Sequence, residues 1–275
     1  MRWVSVGRAR AEKQDHKMSS RVRTELGEHR GEYGIDGGRK AIAGLVAMGV
    51  VGLVLACFAL LHARSGHIVL ASFELLGGLL LLQTTSRYLY STRRGKFRVW
   101  AELLAGLELR GDEHALDIGC GRGAILGMLA KTLPRGRAVG LDLWRSEDQS
   151  GNRPAATRRN LEVEGVRNRC ELVTADMRAV PFADSTFDLV VSNLAIHNIK
   201  DREGRRHAID EAVRVLRPGG RLLIADLTWT KAYARRLREL GIENVVAQRL
   251  GWRCHFGALG AVTSLVTATK QEDLK

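Results

Sequence analysis

The sequence predicts an α/β protein: a doubly wound, mostly parallel sheet of seven strands, preceded by two transmembrane helices. Three observations lead there. From residue 114 onward, short apolar runs alternate with amphipathic stretches, the pattern of strand–helix–strand units in a parallel sheet. The first run, His114-Ala-Leu-Asp-Ile118, breaks at once into Gly119-Cys-Gly-Arg-Gly123 and an apolar helical stretch. Far upstream, Ala41 to Leu61 is 21 residues without a charge or a strongly polar side chain. At roughly 1.5 Å per residue, such a run crosses a hydrocarbon core about 30 Å thick.

Residues 1–40 hold ten Lys or Arg, six Asp or Glu, and four glycines from Gly31 onward. Without apolar periodicity they read as a flexible basic arm, too long before its apolar run for an ordinary signal peptide. Met1 and Met18 are both candidate starts. The hairpin covers 41–86, as helices over 41–61 and 68–86 joined by the polar turn His62-Ala-Arg-Ser-Gly-His67. The second run carries Glu74, expected protonated against its partner helix or beside a polar path. Gly44, Gly49, Gly52, Gly77 and Gly78 would let the helices approach. Only Arg64 charges the turn, whereas Arg39 and Lys40 precede the hairpin and Arg87, Arg93, Arg94, Lys96 and Arg98 follow it. Both flanks are therefore expected in the cytoplasm.

The third unit is the domain at 96–275. Lys96 to Leu107 is an amphipathic lead-in helix. Strands are expected at 114–118, 137–142, 170–174, 187–192 and 220–226, with tail strands in 243–249 and 261–269. Helices fall near 123–133, 154–164, 204–216 and 230–240, one of them stopped by Pro218-Gly219-Gly220.

Lys and Arg number 43 against 30 Asp and Glu, a net charge of +13. Such a balance suits nucleic acid or an anionic membrane. No appended RNA-binding motif is present and much of the charge flanks the hairpin, so lipid attraction explains it and nucleic acid is not the expected partner. Cys57, Cys120, Cys170 and Cys254 lie far apart without a C-x-x-C pair. That pattern indicates neither a metal site nor a disulfide framework, and fits a reduced cytoplasmic setting.

The chemistry concentrates on strand ends. Glycines after a buried strand let a ligand approach the backbone and a helix N-terminus. Asp142 ends the second strand nineteen residues past Gly123, about where an acid accepts hydrogen bonds from a ribose. Asp117, just before the glycines, would repel a pyrophosphate and suits a cationic ligand.

Leu116-Asp-Ile-Gly-Cys-Gly-Arg-Gly123, Val139-Gly-Leu-Asp142, Thr174-Ala-Asp-Met177, Phe187-Asp-Leu-Val-Val-Ser192 and Val215-Leu-Arg-Pro-Gly-Gly220 together resemble the class I S-adenosylmethionine-dependent methyltransferases. The resemblance spans roughly residues 96–270, is nearest the quinone- and sterol-methylating branch, and implies a last strand antiparallel to the rest. It implies S-adenosylmethionine as methyl donor and no metal. Asp117 would act near the methionine amino group, Gly119 and Gly121 would give backbone clearance, and Gly123 tight helix packing. Asp142 would take the ribose hydroxyls, Leu143 lie against the adenine, Asp176 and Met177 hold the adenine edge, and Asn193 flank the methionine. Asp188 is expected to be a structural acid.

The acceptor side stays open. The Asn/Asp-Pro-Pro-Tyr/Phe motif of amino-methylating enzymes is absent from Asn193-Leu-Ala-Ile-His-Asn198. His197 is either a general base for a hydroxyl or a structural hydrogen-bonder. The loop 144–152 either touches substrate, through Trp144, Asp148 and Asn152, or is a polar loop whose Asn152 caps the helix near Pro154. The expected function is methyl transfer to a small, apolar or membrane-associated acceptor, with a tethered protein or RNA methyltransferase as the alternative. A binding module that has lost catalysis is disfavoured by the intact acids and glycines.

Overall fold

The computed structural model describes residues 23–256 and 262–272. The first 22 residues of the expected arm, Met18 among them, lie outside the described residues, as do 257–261 and 273–275.

Seven strands form one sheet: β1 (His114–Ile118), β2 (Arg137–Asp142), β3 (Cys170–Thr174), β4 (Phe187–Asn193), β5 (Leu216–Asp226), β6 (Val246–Arg249) and β7 (Ser264–Thr269). Their order is β3-β2-β1-β4-β5-β7-β6. β1 to β5 are mutually parallel, and β7 runs antiparallel to both neighbours. Strand order reverses between β1 and β4, so their carboxyl ends flank the crevice where such sheets bind ligands.

Apolar runs flanked by helices predict this burial. Leu116, Ile118, Leu141, Leu189 and Val190 are essentially inaccessible. One face carries α3 (Lys96–Ala105), α4 (Ala124–Thr132) and α5 (Pro154–Val163), packed through Leu104, Leu126, Leu129 and Leu161. The other carries α6 (Arg202–Val215) and α7 (Thr230–Glu239), packed through Ile209, Val215 and Leu237. Pro218-Gly219-Gly220 does not stop α6, which ends at Val215. β5 instead starts four residues early at Leu216, opposite Phe187, and its register shifts before Leu189 meets Arg221. Pro218 has no N–H for a ladder, so an irregular strand start accommodates it.

The hairpin is α1 (Gly38–Arg64) and α2 (Ile68–Tyr90), both long and apolar enough to cross a membrane. Of the five small residues only Gly52 and Gly78 set the crossing: a Cβ on Gly78 would sit 2.7 Å from the Gly52 carbonyl oxygen, whereas Gly44 has open space around it. Leu53, Leu60, Val69 and Phe73 are more than half exposed. Only 17% and 11% of the two most apolar windows is buried, unlike the core helix of a water-soluble domain. Glu74 turns towards the other helix, 2.8 Å from His62 Nδ1.

Two expectations change. Residues 23–37 are docked rather than flexible. Residues 23–27 are helical, and Leu26 and Tyr33 enter the core. Glu164 Oε1 accepts from the backbone N–H groups of Arg30 and Gly31 and from the Tyr33 hydroxyl, while Oε2 meets Lys131 Nζ at 2.7 Å. Local composition cannot show a tether made by an acid 130 residues away. Nor does the chain break between hairpin and domain: α2 passes through a π-helical turn, Ser91–Gly95, straight into α3, giving a 38-residue rod from Ile68 to Ala105.

The Glu164 side chain is 2% exposed, so Glu164→Ala strands several donors at once. The docking of residues 28–37 should weaken by about 2–4 kcal/mol, read as a matching loss of hydrogen-exchange protection there and of protease resistance.

Candidate active site

One cavity of about 390 Å³ lies over the carboxyl ends of β1, β2 and β4, a size proper to a small-molecule site. Of the residues expected to hold a cofactor, Asp117, Gly119, Gly121, Asp142, Leu143, Asp176, Met177 and Asn193 line it. Gly123 does not. With φ +82°, it lies where a Cβ would come 2.8 Å from Thr157 Cγ2, so it lets α4 pack on α5.

Asp117 decides the electrostatics. It is 1% exposed, and neither carboxylate oxygen has a hydrogen-bond partner among the described residues. Burial, then the nearby Asp142, push its carboxyl up to about 8. An acid so placed has its oxygens open to a donor from a ligand, and a cationic one would suit it best. Asp142 is instead well furnished: its Oδ2 accepts from Gly121 N–H at 2.8 Å, and its Oδ1 from Trp144 N–H at 2.5 Å and Asn152 Nδ2 at 3.2 Å. Leu143 leaves 39% of its surface open beside it. Asp176 differs from expectation, because its carboxylate is forked onto Arg178 at 2.6–3.1 Å. That hydrogen bond holds its pKa below the usual carboxylate range. Asn193 Oδ1 accepts from Trp100 Nε1 at 2.9 Å. Asp188 is structural, bonded to His114 N–H and Arg217.

The 144–152 loop divides. Arg145, Asp148, Gln149 and Asn152 reach the cavity. Trp144 does not; it is a left-handed residue with φ 59° whose indole donates to Thr174 Oγ1. Asn152 does not cap α5, whose N-cap is Arg153 without a side-chain bond. Its amide props Asp142 and the Arg145 carbonyl instead.

His197 lines the cavity with its side chain 23% exposed. Its Nδ1 lies 2.5 Å from Oδ1 of Asp226, a fully buried acid at the end of β5. Burial alone would lower the imidazole pKa, but the Asp226 hydrogen bond and charge outweigh it and raise it above the ordinary histidine value.

Sequence reading missed the near wall. Asp36, Gly37, Tyr88 and Lys96 line the cavity from the foot of the hairpin, together with Leu194, Leu227 and Phe256, which pack beside Tyr88. Lys96 Nζ bonds both oxygens of Asp36 at 2.9 Å, and Tyr88 donates to the Asp36 carbonyl at 2.6 Å. One signal was available: Lys96, Trp100 and Leu104 recur at four-residue spacing, placing a lysine on the buried stripe of α3. Asp226 ends an apolar strand just as Asp142 does, another readable cue.

Residues 116–224 match the family model described as a methyltransferase domain. By that match, residues 116–224 carry a methyltransferase domain. A sterol 4-C-methyltransferase from Caenorhabditis elegans is 34% identical over 48% of this chain and 36% of its own length. A ubiquinone/menaquinone biosynthesis C-methyltransferase from Roseobacter denitrificans is also 34% identical, over 49% of this chain and 50% of its own. The chain thus spans at most half of either relative. Among solved structures, a [4+2]-cyclase superposes with TM-score 0.51 at 18% identity, over 62% of this chain and 80% of that one. That likeness concerns the fold alone.

The folded chain keeps a proton on Asp117 that the unfolded chain loses above about pH 4. Stability should therefore fall as pH rises from about 4 to about 8 and then level off. Asp117→Asn should remove this slope, gaining on the order of 5 kcal/mol at pH 8 and little at pH 4. Denaturant unfolding of both proteins at the two pH values measures the difference.

Proposed function

We propose that this protein is an S-adenosylmethionine-dependent methyltransferase, held at a membrane by its hairpin, that methylates a small apolar acceptor. The observation carrying this is the partnerless Asp117 carboxylate, buried in a cavity whose near wall is the foot of the hairpin.

The residues fit the cofactor. Asp117 would receive the methionine ammonium, which restores its charge and satisfies its oxygens. Asp142 keeps one lone pair on Oδ2 for a ribose hydroxyl, and Leu143 presents an apolar surface to the adenine. Met177 would bond the ring edge, and Asp176 would accept from the adenine amine while Arg178 orients it. Asn193, fixed by Trp100, would flank the methionine chain. S-adenosylmethionine supplies a methyl carbon already activated by a sulfonium. The chain's own work is to align the acceptor with that carbon and to exclude water.

The acceptor class rests on the other end of the cavity. Tyr88, Leu194, Leu227 and Phe256 pack into one apolar cluster, and the hairpin above it exposes hydrocarbon side chains on its outer surface. A lipid-soluble molecule would concentrate where this mouth lies, and both relatives are named for acceptors of that kind. The charge asymmetry of the flanks supports a cytoplasmic position for both ends of the hairpin, and hence for the domain.

Full-length enzyme incubated with methyl-labelled S-adenosylmethionine and separated cell lipid, protein and RNA should label the lipid fraction. Label in protein or RNA overturns the acceptor class. Asp142→Ala should weaken cofactor binding by on the order of 2–4 kcal/mol with the fold intact. Near-wild-type affinity in calorimetry counts against the cofactor assignment. Reporters fused at both termini should read cytoplasmic, and a tag within residues 62–67 should be reachable from outside.

A further inference from the structure

Alignment alone has no use for the proton-handling pair beside the cavity. Asp226 is 0% exposed, and its carboxylate is committed to this corner. Oδ1 meets His197 Nδ1 at 2.5 Å and Leu227 N–H at 2.8 Å; Oδ2 accepts from His197 N–H at 3.0 Å and the Tyr233 hydroxyl at 3.2 Å. With the ring held through Nδ1–H, Nε2 carries the lone pair. Nε2 has no hydrogen-bond partner among the described residues, while the ring lines the cavity with part of its surface open. A purely structural histidine in this setting would be expected to spend both nitrogens on the protein.

We propose that His197, oriented by Asp226, is the general base that takes the proton from a hydroxyl group of the acceptor, so that the product is a methyl ether. This rests on the methyl-transfer reading above and names its substrate class: an apolar molecule bearing an alcohol or phenol. As the hydroxyl oxygen's lone pair forms the O–CH₃ bond, its proton passes to Nε2. The C–S bond breaks, its electron pair stays on sulfur, and the sulfonium becomes a neutral thioether. The imidazolium then returns its proton to water. Without a base the product would be a protonated ether, a far stronger acid than water at neutral pH.

The surroundings favour the imidazolium. Asp226 acts on the ring from β5, itself bonded by the Tyr233 hydroxyl of α7, while the charges of Asp148 in the loop after β2 and Asp36 before α1 act from further off, the last offset by its partner Lys96. Fixed carboxylates around a group that becomes cationic stabilise that charge as it forms. Asp226 is a positioning residue, since it touches only the base.

The test uses full-length protein in detergent with methyl-labelled S-adenosylmethionine and a cell lipid extract. Hot hydriodic acid releases the methyl of an ether as volatile methyl iodide and leaves a methyl on carbon in place. Wild-type product should give volatile label. His197→Gln should cut the rate by about 10²–10⁴-fold, with calorimetric cofactor affinity within about threefold of wild type, in keeping with a group that acts on the acceptor. The rate should rise with pH through the imidazole's ionisation, and Asp226→Asn should move that limb to lower pH while reducing the plateau. Activity is not the only readout. Carbethoxylation of His197, followed against pH by mass spectrometry without cofactor, should show the same downward move in Asp226→Asn. Label that stays on carbon, or a His197→Gln enzyme at near-wild-type rate, overturns the proposal while leaving methyl transfer standing. Failure of wild-type protein to bind cofactor overturns the methyl-transfer reading and this proposal with it.

Discussion

Lys96 is almost wholly withdrawn from water, and an ammonium in that position needs an anion. Asp36 supplies it with both carboxylate oxygens at 2.9 Å. The two residues are 60 apart in sequence, one before α1 and the other after α2, so the pair closes the whole hairpin into a loop at its base. Thr92 and Gln149 hydrogen-bond the same carboxylate. Asp36 thereby joins hairpin, α3 and the loop after β2 at one point. The near wall of the cavity exists because that point is fixed.

Most of the sheet was legible because its signals are local. A run of buried side chains ending in glycine or an acid marks β1 and β2 to the residue, and Pro154 marks the start of α5. Part of the cavity lining was legible for the same reason: Asp117 and Asp142 sit at strand ends, and Met177 follows β3 closely. What was not legible depends on distant partners. Nothing near Asp36 announces Lys96, and nothing near Arg30 announces Glu164. Trp144 turned away from the cavity and Asn152 did not cap α5, because a polar loop does not reveal which side chains fold under it. Asn152 went to the second-strand acid and Trp144 to Thr174.

Four acids around one cavity are given four environments. Asp117 is stripped of donors, Asp142 is supplied with three, Asp176 is forked onto an arginine, and Asp226 holds an imidazole. Identical side chains thus acquire different work through neighbours rather than through chemistry of their own. The family fold brings three of these acids to strand ends. The hairpin then adds a wall that the matched region, residues 116–224, does not contain.

With its hairpin in a bilayer, as proposed, the unbroken helical rod from Ile68 to Ala105 would make the bilayer a ruler for the domain. Tyr88 lies six residues past Leu82, the last residue of the apolar run, a rise of about 9 Å. With α2 in a bilayer, the cavity wall therefore stands at the depth of the lipid headgroups, a short step from the hydrocarbon edge. The lipid-soluble acceptor proposed above would have to lift only its reactive end out of the oil. The same stiffness locks direction as well as height. Each residue added between Leu82 and Tyr88 would raise the domain by about 1.5 Å and swing its mouth by about 100° around the rod, so the length of this short segment sets where the enzyme faces.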